Sequence, residues 1–147
     1  MEFDDLMEVL ARRAGDGGEI PKDEDGVVRF AVGDITVALM EMPNLGEMVI
    51  WSRMGELPAF GADKLKTALL RGNFLGRDTG GATLSLSEDD EIYLHRRLDL
   101  RPLDGETFFE ILTQFVQLMD AWRKTIVAYV PIVESERPED VGDFLRV

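Results

Sequence analysis

The stretch from Asn73 to Leu86 limits what this chain can fold into more than any other. An apolar-periodic segment runs out at Gly72-Asn73-Phe74. The turn Gly76-Arg77-Asp78-Thr79-Gly80-Gly81 follows, and Ala82-Thr83-Leu84-Ser85-Leu86 then alternates apolar and polar side chains. The period changes from about 3.6 to 2 across a corner rich in glycine, the residue that takes positive φ without steric cost. A helix therefore delivers the chain into a strand. A phosphate-binding P-loop has the opposite order: it follows a strand, opens a helix and ends its glycines in Lys-Ser/Thr. Here Ala82 and Thr83 follow the last glycine, so the turn reads as a structural corner.

The same reading extends along the chain. Residues 2–14 carry Phe3, Leu6, Met7 and Leu10 at helical spacing, with Asp4 and Asp5 in the first turn and Gly15-Asp16-Gly17-Gly18 as the stop. Strands are expected at 27–32, 35–42 and 47–54, separated by Gly33-Asp34 and Pro43-Asn44-Leu45-Gly46. Residues 62–72 repeat as a second helix. Strands at 82–87 and 91–98 meet across the acidic turn 87–90. Asp104 is a good N-cap for a last helix whose stripe is Phe108, Leu112, Phe115, Met119, Trp122 and Ile126, with Pro131 as its stop. A fully buried Trp122 ring predicts a loss of about 3–5 kcal/mol on truncation to Ala. The order α-β-β-β-α-β-β-α with hairpin-length turns predicts a single α+β domain over 1–130 built on an antiparallel sheet, then a polar, partly disordered tail over 131–147.

Composition excludes several kinds of partner and chemistry. Twenty-nine acidic residues against 16 basic ones leave a net charge of −13, which opposes binding to nucleic acid or an anionic membrane surface. The start, with Glu2, Asp4, Asp5 and Glu8, is no signal peptide, and no run approaches the ~18 apolar residues of a membrane helix. The absence of cysteine removes disulfides, thiolate metal sites and cysteine nucleophiles, and fits a reducing cytoplasm. Asp23-Glu24-Asp25-Gly26 begins like a calcium loop, but Val32 stands where the distal acidic ligand belongs. His95 is the only histidine, flanked by Leu94 and Arg96 in a strand, and no Gly-x-Ser-x-Gly elbow occurs. No catalytic residue, metal site or cofactor site is expected.

The apolar surplus carries more information. Ile35, Val37 and Leu39 share one face of their strand, and Thr36, Ala38, Met40 and Met42 the other. Val49 and Trp51 oppose Met48, Ile50 and Met54 in the next. An antiparallel sheet with a solvated back alternates more cleanly, so both faces are expected to be covered. Methionine adapts to varied surroundings, so Met40, Met42, Met48 and Met54 suit either a core or a binding face, depending on strand register.

Leu69-x-x-x-Asn73-Phe74, then Thr79 to Leu86, Ile92-x-Leu94, Leu98-x-Leu100, Leu103-Asp104, Phe108 and the Phe115–Trp122 spacing together resemble the type III secretion chaperones of the CesT/SycE (Tir chaperone) kind over roughly residues 3–127. The resemblance implies a secretion-chaperone-like fold and a bacterial cytoplasmic homodimer that performs no catalysis. It also implies that the dimer holds the extended N-terminal segment of a secreted effector. On this chain it maps partner binding to Leu6, Met7, Leu10, Met40, Met42, Ile50 and Met54, and the dimer contact to Leu65, Leu69 and Gly72. A small dimeric α+β regulator or scaffold, and a carboxylate-dependent hydrolase, are the alternatives.

Overall fold

The computed structural model describes residues 1–15 and 17–129 in full and the backbone alone of 130–146. Helix α1 (Phe3–Ala14) leads into β1 (Val27–Val32), β2 (Ile35–Met42) and β3 (Glu47–Glu56). Helix α2 (Ala62–Gly72) is followed by β4 (Thr83–Leu86), β5 (Glu91–Asp99) and α3 (Gly105–Arg146). The strands form one antiparallel sheet in the order β1-β2-β3-β5-β4.

Register decides which side chains enter the core. Leu39 stands opposite Ile50 and Met48 opposite Leu98, while Met40 pairs with Val49 and Ala38 with Trp51. Val28, Val37, Leu39, Met48, Ile50, Ile92 and Leu94 therefore lie on one face, and all are fully buried. Met54, in step with Met48 and Ile50, is buried, and it is the extra residue in β3 between Arg53 and Gly55 whose insertion turns Glu56 back outward. The helices cover this inner face. Phe3, Leu6, Met7, Leu10 and Ala11 of α1 are buried with Phe108, Leu112, Phe115, Met119 and Ile126 of α3. At Gly72 the end of α2 approaches α3 so closely that an added Cβ would lie 2.3 Å from the Trp122 ring. Trp122 itself is only half-buried.

Among the residues described in full, no helix covers the outer face. Met40, Met42, Val49, Trp51, Tyr93 and His95 are half-buried there, so the expectation of two covered faces holds for one face only. The four methionines split accordingly: Met48 and Met54 lie inside, Met40 and Met42 outside. Asp104 caps α3 as expected, its Oδ1 accepting the Thr107 N–H at 2.8 Å. Pro131 does not end that helix, whose backbone continues to Arg146. A proline inside a helix removes one hydrogen bond and crowds the preceding turn, which disfavours the helix without forbidding it. Asp16 and the side chains of the tail lie outside the described residues.

Candidate interaction surfaces

Three apolar surfaces stand out among the described residues once the core is assigned. The first is a groove of about 230 Å³ beside β1. Leu10 and Ala14 from the end of α1, Phe30 and Val32 from β1, and Phe109, Leu112 and Val116 from α3 line it. β1 is an edge strand; a single bridge from Lys22 to Val28 covers the start of its outer side, and the groove runs beside the backbone groups left open towards Val32. Val32 is 40% exposed, and the Arg13 guanidinium sits 5.1 Å from the centre of the Phe109 ring at the rim. The second surface is the outer sheet face around Trp51. The third surrounds the end of α2, where Leu70, Phe74 and Leu75 are 73%, 60% and 79% exposed. Leu75 also holds a left-handed backbone (φ 56°), uncommon for a residue with a branched side chain.

The residues expected to bind a partner are dispersed among these places. Leu10 lines the groove, and Met7 lines a separate cleft between α1 and the loop before β1. Met40 and Met42 lie on the outer sheet face. Leu6, Ile50 and Met54 are interior. Leu65, Leu69 and Gly72, expected at a dimer contact, face the chain's own core, and the apolar side chains turned outward beside them are Leu70, Phe74 and Leu75. Phe30, Phe109, Val116, Leu70 and Leu75 were not anticipated. The available signals were an apolar Leu70 on the polar side of α2 and Phe74-Leu75 placed beyond the helix end.

The Gly-rich turn is a tied corner. Asn73 donates from Nδ2 to the Leu84 carbonyl at 2.9 Å and accepts the Leu84 N–H at 2.8 Å. Trp122 Nε1 donates to the Asp78 carbonyl at 2.9 Å, and Arg96 donates to the Gly80 carbonyl at 3.1 Å. These groups satisfy carbonyls that point out of the turn, the opposite of an anion cradle built from N–H groups. Gly80 (φ 56°) lies so close to α3 that an added Cβ would sit 2.8 Å from Leu118. The Thr79 hydroxyl is buried there without a partner among the described residues.

Chemically the surface is quiet. Among the described residues, four carboxyls titrate below the usual carboxylate range. For Asp23 the chief cause is Arg29, for Asp34 Arg123, for Asp99 Arg101 and for Asp104 the Thr107 N–H. A general acid at neutral pH needs the opposite shift. Tyr93 is pushed up by its hydrogen bond to Glu91. His95 Nδ1 lies 3.1 Å from Ser85 Oγ on the outer face. No group of acidic residues and histidine among the described residues is arranged to hold a metal, and no described helix is long and apolar enough to cross a membrane.

Comparison with known proteins places these surfaces on a recognised scaffold. A Chlamydia pneumoniae protein is 25% identical over 114 residues, which are 76% of this chain and 83% of the relative. Among solved structures, a chain of the ExsC–ExsE complex superposes with a TM-score of 0.71 at 15% identity, covering 86% of this chain and 97% of that one. The Yersinia pestis type III secretion chaperone SycH, in complex with a stable fragment of YscM2, gives 0.64 at 23% identity, covering 82% and 98%. The Pseudomonas aeruginosa ExoU–SpcU heterodimeric complex gives 0.64 at 13% identity, covering 88% and 98%. These likenesses establish the fold. The family model of the Tir chaperone proteins matches residues 5–123, and with that match over most of its length the chain belongs to the Tir chaperone protein (CesT) family of type III secretion chaperones.

Proposed function

We propose that this chain is a homodimeric chaperone of the bacterial cytoplasm that holds the N-terminal segment of a secreted effector in an extended, export-competent form. The observation that carries this reading is the groove beside the β1 edge. An extended segment can pair its backbone with the edge and place alternate side chains over Phe30, Val32, Phe109 and Val116. Each Val, Leu or Phe side chain it buries contributes about 1.5–3 kcal/mol before the cost of ordering the segment. The family membership and the presence of SycH and SpcU in complexes with partner proteins support the same reading. Met40 and Met42, on the outer face, extend the surface available to a segment that wraps the protomer.

Self-association uses the α2 end. Leu70, Phe74 and Leu75 form the outward contact, with Leu65, Leu69 and Gly72 fixing the helix behind them. Light scattering is expected to give twice the 16.5 kDa chain mass at micromolar concentration. Co-expression with the first ~100 residues of a secreted protein, a length covering several turns of extended chain around a small domain, is expected to yield a co-purifying complex in which that segment has no stable fold of its own. A complex formed only with a folded domain of the partner would instead favour a small dimeric regulator or scaffold, and a monomer at all concentrations would count against both readings.

A further inference from the structure

The outer edge of β1 is only partly open, because the chain's own residues cover its first half. Lys22 forms an antiparallel bridge with Val28, and the Asp23 N–H donates to the Val27 carbonyl at 2.9 Å. The Asp23 carboxylate accepts the N–H groups of Asp25 and Val27, each at 2.9 Å, and pairs with the Arg29 guanidinium. Lys22 reaches back to α1, 2.7 Å from Asp4 Oδ1 and 5.2 Å from the centre of the Phe3 ring. Ile20 packs on the margin of the core.

Backbone groups alternate direction along a strand. Val27 points its carbonyl outward, so Arg29 and Ala31 are the other outward residues of β1. With residues 21–23 lying along 27–29, only the end of the edge around Ala31 stays open. A bound strand of ordinary length, about five or six residues, cannot fit there without lifting that cover. The cover is lightly held. Between it and α1 lies a cleft of about 1040 Å³, bordered by Met7, Ala11, Ile20 and Val28. Its side-chain ties to α1 and β1 are two surface ion pairs, a weak class of contact, together with the Lys22 contact on the Phe3 ring and the one hydrogen bond that Asp23 accepts from the Val27 N–H. Gly26 (φ 79°) gives it a pivot next to β1.

We infer that residues 20–23 are a displaceable strap, occupying the β1 edge in the free protein and exchanged for part of the incoming extended segment. The inference rests on the reading of the β1 edge as the binding site. A strap that is closed most of the time lowers the apparent affinity by the open fraction. Segments too short to pair beyond Ala31 would gain too little to open it, so the strap selects for long extended chains.

Because the chain lacks cysteine, the pair Lys22→Cys with Val28→Cys introduces a single disulfide across neighbouring antiparallel strands, a geometry within bonding reach. The probe is a fluorescein-labelled twelve-residue synthetic peptide of alternating Val and Thr with a Lys at each end, followed by anisotropy. The reduced variant, which has lost the Lys22 ties to Asp4 and Phe3, is expected to bind somewhat tighter than wild type, the oxidised variant about tenfold or more weaker than the reduced one, and Asp23→Ala about twofold to fivefold tighter than wild type, as removal of a closed-state tie requires. In wild type, hydrogen exchange at the Asp23 amide is expected to speed up when the peptide binds, which reads the strap without any substitution. Peptide binding that is lost in Val32→Asp yet equal in the oxidised and reduced forms, with the Asp23 amide unchanged, would overturn the strap and leave the edge site standing. Binding that survives Val32→Asp, or that is absent from every form, would overturn the edge site and the strap together.

Discussion

At the β4 end of the sheet, backbone groups that leave the ladder are met by side chains. Asn73 brackets Leu84 with two hydrogen bonds, Trp122 holds the Asp78 carbonyl, and Arg96 holds that of Gly80. At the β1 end the edge is met by a short run of backbone and by exposed ion pairs, beside an apolar groove. Both ends expose apolar side chains, but on different supports. Leu70, Phe74 and Leu75 stand on a corner fixed from several sides, which suits a lasting contact with a second copy. Phe30, Val32 and Val116 line a groove whose neighbouring edge can be vacated, which suits a guest that must later leave. The difference teaches that exposed apolar area alone does not assign a role; the way its backbone is held does.

The largest effect tests what the two ends share. Phe115 is 1% exposed in the common core, and Phe115→Ala is expected to cost about 3–5 kcal/mol and to melt both ends in one transition by chemical denaturation. Two separate transitions would show that the ends are independent. Trp122→Ala removes a half-buried ring and the tie to Asp78, so about 2–3 kcal/mol is expected, less than for a fully buried ring. Hydrogen exchange should place the loosening at 76–82 and leave β1 unchanged. Gly72→Ala forces a methyl against the same ring, at about 1–3 kcal/mol. Rescue by Trp122→Leu in the double variant would confirm the clash as the cause.

Phe74→Glu with Leu70→Glu should leave thermal stability within about 0.5 kcal/mol per site, since both side chains are mostly exposed, and convert a dimer to a monomer by light scattering. A dimer that persists would move self-association away from the α2 end. The smallest effect is at Asp104. Its carboxyl is held below the usual carboxylate range chiefly by the Thr107 N–H, so its stabilisation is present above the unfolded-state pKa and lost as pH falls through the folded value. Asp104→Ala should therefore lower the melting temperature slightly at pH 7, and the difference from wild type should vanish in strong acid.

Much of the fold was legible from spacing. The bounds of β1, β2 and α2, the Asp104 cap and the corner at 76–81 all follow from local patterns that tertiary structure had no reason to override. The continuation of α3 past Pro131 was not legible, because one proline changes a helix's local stability without fixing its end. The interaction surfaces were harder still. Each of Met40, Met48, Ile50 and Met54 is apolar and sits in an alternating strand. Only the pairing of Met40 with Val49 and of Leu39 with Ile50 sends the first outward and the other three inward. The same limit applies to Leu65 and Leu70, neighbours on one helix whose burial depends on where α3 lies.

Hydrogen exchange on the protein alone and in a co-purified complex with the N-terminal segment of a secreted protein tests the central claim most directly. Slowed exchange is expected at residues 29–32 of β1 and along 109–117 of α3, the two walls of the groove. A complex that forms with those walls unchanged, and with protection confined to 70–76, would contradict the account.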